Sequence, residues 1–436
     1  MNRFVVALST VVSGRSAWLL MAVAGFAFVN GVSAIWMVVG YIIVEFFLLL
    51  YYAPRIREFS EKNDCITIPD FYEARFKDTS GMLRITLIII FCVFMITYIS
   101  AQFVAGGKAF AAHFKLDETA SLLITAGIVL IYTLLGGFLA VSLTDVFQAF
   151  IMLIALILLP VLALNEIGSI SKAVDILSTE KGQLLNMFNL NNLVIGGLLC
   201  IGLGSPGNPH ILVRYMSIDD PKQFRWTAVV ATLWNILMAA GTICIGLLAR
   251  VIFLNVNALS NHDKENTFID LANHLLPPFW VGLFIAALFA AIMSTSDSQL
   301  LVAASSLVRD FYQKILKKNK NIDQNKLTLL SRLAILILVI MAIILGLIIE
   351  EQILWFVLFA WGGLGASIGP TSILALFWKK TTKYGIYAGL LSGGLTVFIW
   401  KLYNLSSVIY ELVPAFVLSF ILTITVSLLT SKKTAV

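Results

Sequence analysis

The 436-residue sequence predicts an all-α polytopic membrane protein, an inverted five-helix repeat with about twelve transmembrane helices. Three observations favour this fold class. Apolar residues make up 59% of the chain and charged residues 12%, whereas ordinary soluble domains carry roughly 25% charged residues. Apolar runs of about 20 residues, the length that crosses a bilayer, recur along the whole chain. Two of these runs, five apart in order, are interrupted near their middles.

Charged residues and Pro, Gly or Asn punctuation divide the chain into candidate spans. We expect one membrane domain over 1–436, with a first repeat over about 4–165, a second over about 190–378 and two additional helices over about 382–430. The spans lie at approximately 4–31, 34–54, 82–112, 119–141, 143–165, 190–213, 225–254, 278–308, 327–349, 353–378, 382–403 and 408–430.

Lys and Arg residues concentrate in alternate loops. They cluster in 55–84 between spans two and three, Arg214 is expected in the loop after span six, and a dense basic loop runs from Arg309 to Arg332. By the positive-inside rule, both termini are expected in the cytoplasm of a chain in the bacterial inner membrane. Because these loops hold the basic residues behind the formal charge of +6, the expected surroundings are a lipid bilayer and not nucleic acid.

The two interrupted spans are the first and the sixth. The first carries "SGRS" (13–16), and the sixth carries "GLGSPGNPH" (202–210), in which Pro206 and Pro209 cannot donate backbone hydrogen bonds. Broken helices at matching positions of two five-span halves indicate a transporter with its binding site at the midplane. The alternative is that these residues merely kink packed helices.

Span eight contains a run of hydroxyls and one carboxylate inside an apolar helix. Ser294 and Ser298 are four residues apart and share a face, with Thr295 beside them. Oxygen donors without thiols or imidazoles are the ligands of a hard cation such as sodium. The alternative is that the hydroxyls bond to carbonyls of their own helix. Asp297 favours a functional role for this run over the alternative, because an ionisable group inside a span is costly without a partner or cavity.

Three further charged residues fall within the apolar runs. Asp145 is expected at the cytoplasmic start of span five, where the helix dipole alone would favour a carboxylate. Arg15 lies in the first break, and counting about 1.5 Å per residue puts Glu45 of span two roughly 7 Å from its depth. Two interpretations stay open: Arg15 binds the carboxylate of a solute, or it forms a structural ion pair with Glu45.

Other chemistries are not expected. The glycine-rich "WGGLGASIGP" (361–370) follows no strand, so it indicates close helix packing and not a phosphate loop. The four histidines lack zinc-site spacing and the four cysteines lack a paired framework. We therefore expect neither an enzyme nor a metalloprotein.

Three stretches resemble the sodium:solute symporter family, most closely its sodium/proline branch: "YTLLGGFLAVSLTDVFQAFIMLIALILLPV", "GNPHILVRYMSI" and "AIMSTSDSQLLVAASSLVRDFY". The resemblance runs from about Leu8 to the last span. It implies the sodium-coupled transporter fold, in which ten core helices form the inverted repeat, followed here by two more.

The resemblance also implies ion sites. The family's main sodium site matches the carbonyls of Val12, Arg15 and Ala291 with the hydroxyls of Ser294 and Thr295. A second cation, a sodium or a proton, matches Asp145, Asp297 and Ser298.

Substrate positions of the proline branch match Tyr132, Ile201, Ser205 and Pro209, with aromatic side chains in the branch at Ile201 and Ser205. The branch has an aspartate at Gly14 and an apolar residue at Arg15. The candidate solute contacts are Ser13, Arg15, Gln102, Tyr132, Ser205, Asn208 and Pro209.

The sequence thus predicts a symporter in which Na+ drives uptake of a small organic solute. The expected solute is a zwitterionic amino acid such as proline, or another molecule with a carboxylate. One alternative is a symporter for a sugar or a vitamin-like solute. The other is a non-transporting solute sensor that partners a signalling protein, although no signalling domain precedes the closing "TSKKTAV".

Overall fold

The computed structural model describes residues 1–180, 183–317, 322–349 and 352–431. Within them the chain forms α-helices joined by short 3-10 and π-helical turns, with no strand. The α-helices are α1 (Arg3–Ala17), α2 (Ala24–Asn30), α3 (Ile35–Phe47), α4 (Ala53–Lys62), α5 (Ile68–Phe76), α6 (Met82–Phe114), α7 (Glu118–Leu135), α8 (Phe138–Ile167), α9 (Ile170–Glu180), α10 (Asn192–Leu199), α11 (Pro209–Met216), α12 (Phe224–Phe253), α13 (Thr267–Leu275), α14 (Pro278–Ser305), α15 (Gln324–Ile348), α16 (Ile353–Phe377), α17 (Lys383–Leu402) and α18 (Leu412–Thr430).

Ten helical runs in the described part of the chain are long and apolar enough to cross a membrane. The first, Arg3–Lys62, holds predicted spans one and two. It folds back on itself near residue 30. The contact of Arg15 with Glu45 and the packing of the Trp18 ring on Tyr41 show that its two halves lie side by side. Predicted span six is the shorter apolar run Asn192–Gly207 followed by α11. All twelve predicted spans are thereby accounted for, and the fold class is confirmed.

Both predicted helix interruptions are present, in different forms. In the first span only Ser16 leaves helical geometry (φ 15°, ψ −169°), and a π-helical turn, Trp18–Val23, follows. In the sixth span a 3-10 helix, Cys200–Gly207, leads to the extended residue Asn208 before α11 begins. The sixth break is the longer one because its two prolines remove backbone donors that an α-helix needs.

The predicted boundary between spans four and five, near residue 142, is wrong. Gly136 and Gly137 are both extended, so α7 ends at Leu135 and α8 begins at Phe138. Adjacent glycines end the helix because each costs about 1 kcal/mol in a helix interior. Asp145 consequently lies about two turns inside α8, beyond the first turn where a helix dipole acts.

The backbone of the sixth break packs directly against α16. A Cβ on Gly204 would lie 2.0 Å from Trp361 Nε1, and one on Gly207 would lie 2.4 Å from Leu364 O. Trp361 Nε1 also donates to Ile201 O at 2.8 Å. Glycine is therefore required here for the approach of the two elements.

One end of the molecule gathers the N-terminus and the basic loops. The Met1 amine donates to Ser217 O at 2.6 Å, and Arg57 donates to Ile218 O at 2.6 Å. Short helix α5 lies at this end, and its Asp70 forms ion pairs with the basic side chains Arg84, Arg309 and Lys314. Burial acts to raise the pKa of Asp70, but Lys314 and Arg309 hold it below its ordinary value.

The loop between α12 and α13 lies at the opposite end and contacts α6. Lys108 Nζ lies 2.7 Å from a carboxylate oxygen of both Asp263 and Glu265. Glu265, which is 1% exposed, also accepts a hydrogen bond from Leu354 N at 3.1 Å. The ion pairs of Lys108 therefore join α6 to this loop, and the hydrogen bond from Leu354 joins the loop to the start of α16.

Candidate ion and solute site

A group of oxygen atoms lies between α1 and α14. Ser294 Oγ is 3.3 Å from Val12 O and 3.0 Å from Ala291 O. Thr295 Oγ1 donates to Ser13 O at 3.1 Å. Both hydroxyls are fully buried, and the described side chains place no thiol or imidazole among these hydrogen bonds. An oxygen-only, uncharged donor set suits a hard monovalent cation.

The carbonyl of Arg15 lies at the first break, where Trp18 N donates to it. The structure thus brings Val12, Ala291 and Ser294 into direct contact, whereas Thr295 bonds to Ser13 O, two carbonyls before that of Arg15. The non-helical Ser16 turns the chain immediately after these carbonyls. A helix break exposes carbonyls that a continuous helix would use internally.

A second cluster surrounds Asp145. Its Oδ2 accepts from Ser9 Oγ at 2.5 Å, from Ser13 Oγ at 3.3 Å and from Arg214 NH2 at 2.9 Å. Arg214 NH2 also donates to Ser298 Oγ at 2.6 Å. Arg214 is 1% exposed within α11, so the prediction that it lies in a loop is wrong. The signal for its role was an ionisable residue directly after an apolar half-helix.

Asp297 completes the second cluster. Its Oδ1 accepts from Thr133 Oγ1 at 3.0 Å, whereas Oδ2 and Asp145 Oδ1 form no hydrogen bond with any described residue. Both carboxylates are fully buried, and Arg214 is the cation that contacts the cluster within the described chain. A buried carboxylate is stabilised by a cation or by protonation. If both carboxylates are ionised, the cluster carries one negative charge in excess.

Arg15 lies in a third cluster at the first break. Its Nε donates to Asn235 Oδ1 at 2.9 Å, its NH1 donates to Gly14 O at 3.1 Å, and its NH2 donates to Glu45 Oε2. The Tyr41 ring centroid lies 3.7 Å from the guanidinium carbon. Glu45 accepts further bonds from Ser205 Oγ at 3.0 Å and Asn235 Nδ2 at 3.1 Å.

The predicted solute contacts divide among these clusters. Gln102 Oε1 accepts from Ala17 N at the first break (3.0 Å), and Asn208 Nδ2 donates to Gly204 O in the sixth (2.8 Å). Pro209 begins α11. Ser13 lies with Asp145, and Ser205 with Glu45. Tyr132 lies within electrostatic range of Asp297 and Asp145, in the second cluster.

Sequence reasoning missed two buried side chains between the breaks. Tyr98 lies one turn before Gln102 on α6, and its ring packs edge-on to His210 with centroids 6.3 Å apart. The Tyr98 hydroxyl, the Gln102 Nε2 and both His210 ring nitrogens form no hydrogen bond within the described chain. The four-residue spacing of Tyr98 and Gln102 was a signal, because it puts two polar groups on one face of an apolar helix.

A cavity of about 640 Å³ lies at the end that carries the N-terminus. It is lined by α5, α11, α14 and α15, and by Phe138 at the start of α8. The Phe138 ring centroid is 6.0 Å from the guanidinium carbon of Arg214. The cavity therefore reaches the edge of the Asp145 cluster.

Known proteins are similar to this chain over most of its length. The model of the sodium:solute symporter family matches residues 1–393. The high-affinity proline transporter PutP of Bacillus subtilis (strain 168) is 39% identical over 428 residues, which are 98% of this chain and 90% of that protein. A sodium/proline symporter of Staphylococcus aureus is 37% identical over 442 residues, which are 99% of this chain and 86% of that protein.

Solved structures share the fold. A Na+-coupled sialic acid symporter in a substrate-bound outward-open state has a TM-score of 0.79 at 17% identity, over 100% of this chain and 90% of that one. Mhp1, a nucleobase-cation-symport-1 family transporter, has a TM-score of 0.63 at 12% identity, over 100% of this chain and 93% of that one. These likenesses confirm the predicted fold of sodium-coupled transporters.

Fold and sequence agree on one class of protein, and its relatives are transporters and not enzymes. The chain belongs to the sodium:solute symporter family and is a sodium-coupled membrane transporter of a small organic solute.

Proposed function

We propose that the chain couples the inward flow of Na+ to uptake of proline, or of a closely related zwitterionic amino acid, across the bacterial inner membrane. The relatives named for proline transport match nearly the whole chain. The observation that carries the proposal is the buried, oxygen-only donor group between α1 and α14. Sodium is the hard monovalent cation that such a group suits.

The first sodium is held by the carbonyls of Val12, Arg15 and Ala291 and the hydroxyls of Ser294 and Thr295. Two hydrogen bonds cross from α14 to α1 here, from Ser294 to Val12 O and from Thr295 to Ser13 O, next to the proposed ligands. A cation in their place would draw the same oxygens together. Sodium would thus fix how the first broken helix sits against α14.

The second cation, a sodium or a proton, is held by Asp145, Asp297 and Ser298. The two buried carboxylates support the assignment, because with both ionised the cluster has one negative charge in excess, which a sodium or a proton would neutralise. Arg214 already neutralises one carboxylate. One further cation therefore suffices.

The solute lies between the two helix breaks, against Tyr98, Gln102 and Asn208. Their unpartnered polar atoms, Tyr98 Oη, Gln102 Nε2 and Asn208 Oδ1, support this position. A solute that bonds to them would remove the cost of leaving buried polar groups unsatisfied.

Both termini are assigned to the cytoplasm. The end that holds Met1 also holds the basic residues Arg57 and Arg309, which lie on helical segments between or beyond the spans, and positive charge between spans faces the cytoplasm. The larger cavity lies at this end, and at the other end the ion pairs of Lys108 join α6 to the loop between α12 and α13. This arrangement fits the step of alternating access in which cargo leaves towards the cytoplasm.

Uptake of radiolabelled proline into proteoliposomes tests the proposal. We expect uptake to require an inward sodium gradient and to stop when potassium replaces sodium. Linkage also requires sodium and proline to raise each other's affinity by the same factor. Sodium-independent uptake, or sodium-dependent uptake of other solutes without proline or any zwitterion, would contradict the proposal.

A further inference from the structure

The Arg15 cluster joins both broken helices through one charged contact. Arg15 stands at the first break, Ser205 lies in the sixth, and Glu45 contacts both. Arg15 is 1% exposed and Glu45 is 5% exposed. The cluster is thus electrically neutral and closed to water.

The other contacts of these two side chains within the described residues are with neutral groups. Arg15 also meets Gly14 O and the Tyr41 ring, and Glu45 also meets Ser205 Oγ. Asn235 contacts both, since it accepts from Arg15 and donates to Glu45. If the ion pair separated, these neutral contacts would still hold the guanidinium of Arg15 and the carboxylate of Glu45 facing each other.

Polar groups that lack hydrogen bonds border this pair. The Tyr41 hydroxyl, the Tyr98 hydroxyl and the Gln102 amide nitrogen form none within the described residues. The Tyr41 ring covers Arg15, and Tyr98 lies within electrostatic range of the guanidinium. A small polar ligand next to Arg15 would find donors already in place.

We propose that a zwitterionic amino acid separates Arg15 from Glu45 and binds between them, with its carboxylate on the guanidinium and its ammonium on Glu45. This inference rests on the proposed function and names the residues that bind the two charged groups of its substrate. One buried ion pair is exchanged for two, so no charge is left uncompensated. Truncating one partner of a buried pair is costly because it leaves the other charge unpaired.

By the same reasoning, the pair would select zwitterions over ligands that carry only one of the two charged groups. A monocarboxylate would pair with Arg15 and leave Glu45 alone, and an amine would do the reverse. Each half-ligand therefore leaves one buried charge unpaired. The alternative is a permanent structural pair. In that case other residues would have to distinguish the zwitterion from a monocarboxylate or an amine.

Binding to the full-length sodium-loaded protein separates these alternatives. The ligands are proline, cyclopentanecarboxylate, which lacks the ammonium, and pyrrolidine, which lacks the carboxylate. For the wild type we expect both half-ligands to bind roughly 100-fold more weakly than proline, because buried polar groups of the site stay unpaired. Binding of either half-ligand as tightly as proline would overturn the inference, and this measurement needs no variant.

Neutral variants should change the preference in opposite directions. Glu45→Gln keeps the shape and removes the negative charge, so we expect the preference for proline over cyclopentanecarboxylate to fall at least about tenfold. Arg15→Gln should lower the preference for proline over pyrrolidine in the same way. Folding of each variant is checked by size-exclusion chromatography and by sodium-dependent thermal stabilisation. Folded variants with the wild-type preference would overturn the inference.

The double variant Arg15→Gln/Glu45→Gln provides the sharpest contrast. A structural pair can be replaced by two neutral groups, so proline uptake would recover relative to each single variant. If the pair binds the ligand, uptake does not recover. Recovery therefore overturns the inference while leaving sodium-coupled transport intact. Absence of sodium-dependent zwitterion uptake in the wild type would instead contradict the proposed function, and this inference with it.

Discussion

Ser294 and Thr295 show how little of the chain the first ion site needs. They are consecutive on α14, and each reaches a carbonyl of α1. Because the hydroxyls lie on one helix and the carbonyls on another, an ion at the proposed site would depend on the distance between the two helices. The proposed sodium ligands would therefore also respond to the transporter's conformation.

Replacing Ser294 or Thr295 with alanine should raise the sodium concentration for half-maximal proline uptake about tenfold, because one oxygen ligand contributes roughly 1.5 kcal/mol. Ser142→Ala is the matched control, since the Ser142 hydroxyl donates to Phe138 O of its own helix. Initial uptake rates across a sodium series measure the effect. An unchanged sodium requirement in both variants would remove these hydroxyls from the site.

Asp297→Asn should lower the Hill coefficient for sodium from about two towards one, because asparagine keeps the shape but not the charge that holds a second monovalent cation. The measurement is the sodium dependence of uptake at constant ionic strength and pH. If a proton is the second ion, the wild-type coefficient is already one and the variant instead loses its pH dependence. A variant identical to the wild type in both respects would show that Asp297 has no part in coupling.

At the scale of elements, the sixth span is held by close backbone contact. Its 3-10 segment lies against α16, and glycine is the residue that permits this. The first span instead keeps its helical hydrogen bonds except around Ser16. The two breaks are equivalent in position but differ in what stabilises them.

Gly204→Ala should destabilise the purified protein by about 2 kcal/mol, because the added methyl group overpacks the contact with Trp361. Gly196→Ala is the control in the same span, since a Cβ there meets nothing within 4 Å. Thermal melting in detergent compares them. Equal melting temperatures for the two variants would mean that the contact with α16 is loose.

At the scale of the whole molecule, ionic contacts hold both ends. Asp70 joins α5 to α6 and to the segment after α14, and Lys108 joins α6 to the loop that holds Asp263 and Glu265. A cavity of about 640 Å³ lies at the first end, and one of about 490 Å³ lies beside Lys108 at the second. Alternating access would require the contacts at the second end to part.

Glu265→Gln should favour the arrangement that is open at the Lys108 end by about 1 kcal/mol, because one of two ion pairs is lost while that with Asp263 remains. A cysteine placed at Gln102 would report the opening through its rate of labelling by an external thiol reagent. We expect an increase of roughly fivefold. Slower labelling would contradict this role for the contact.

Asp70→Asn should lower the melting temperature at every pH from 8 to 5. The lowered pKa of Asp70 means that its contribution is complete above the unfolded value of about 3.9 and is lost only as the pH falls towards the folded value. Melting curves of wild type and variant across this range measure the difference. A difference that shrinks between pH 8 and pH 6 would contradict a carboxylate held by basic partners.

The sequence by itself determined the fold class, the spans, the two breaks and the hydroxyls of α14. These features are local, because hydropathy and prolines act on the segment that contains them. The boundary at Gly136 and Gly137 was missed although it too is local, since apolar neighbours on both sides hid it in a hydropathy reading.

Only the tertiary structure decided which buried charges meet. Arg214 was expected in a loop and instead reaches Asp145, and Tyr98 joins Gln102 and His210 between the breaks. The depth count put Arg15 and Glu45 within reach, but depth does not say which way a helix faces. Rotation about each helix axis is set by packing against other helices, and two partners from distant segments meet only when both rotations are fixed.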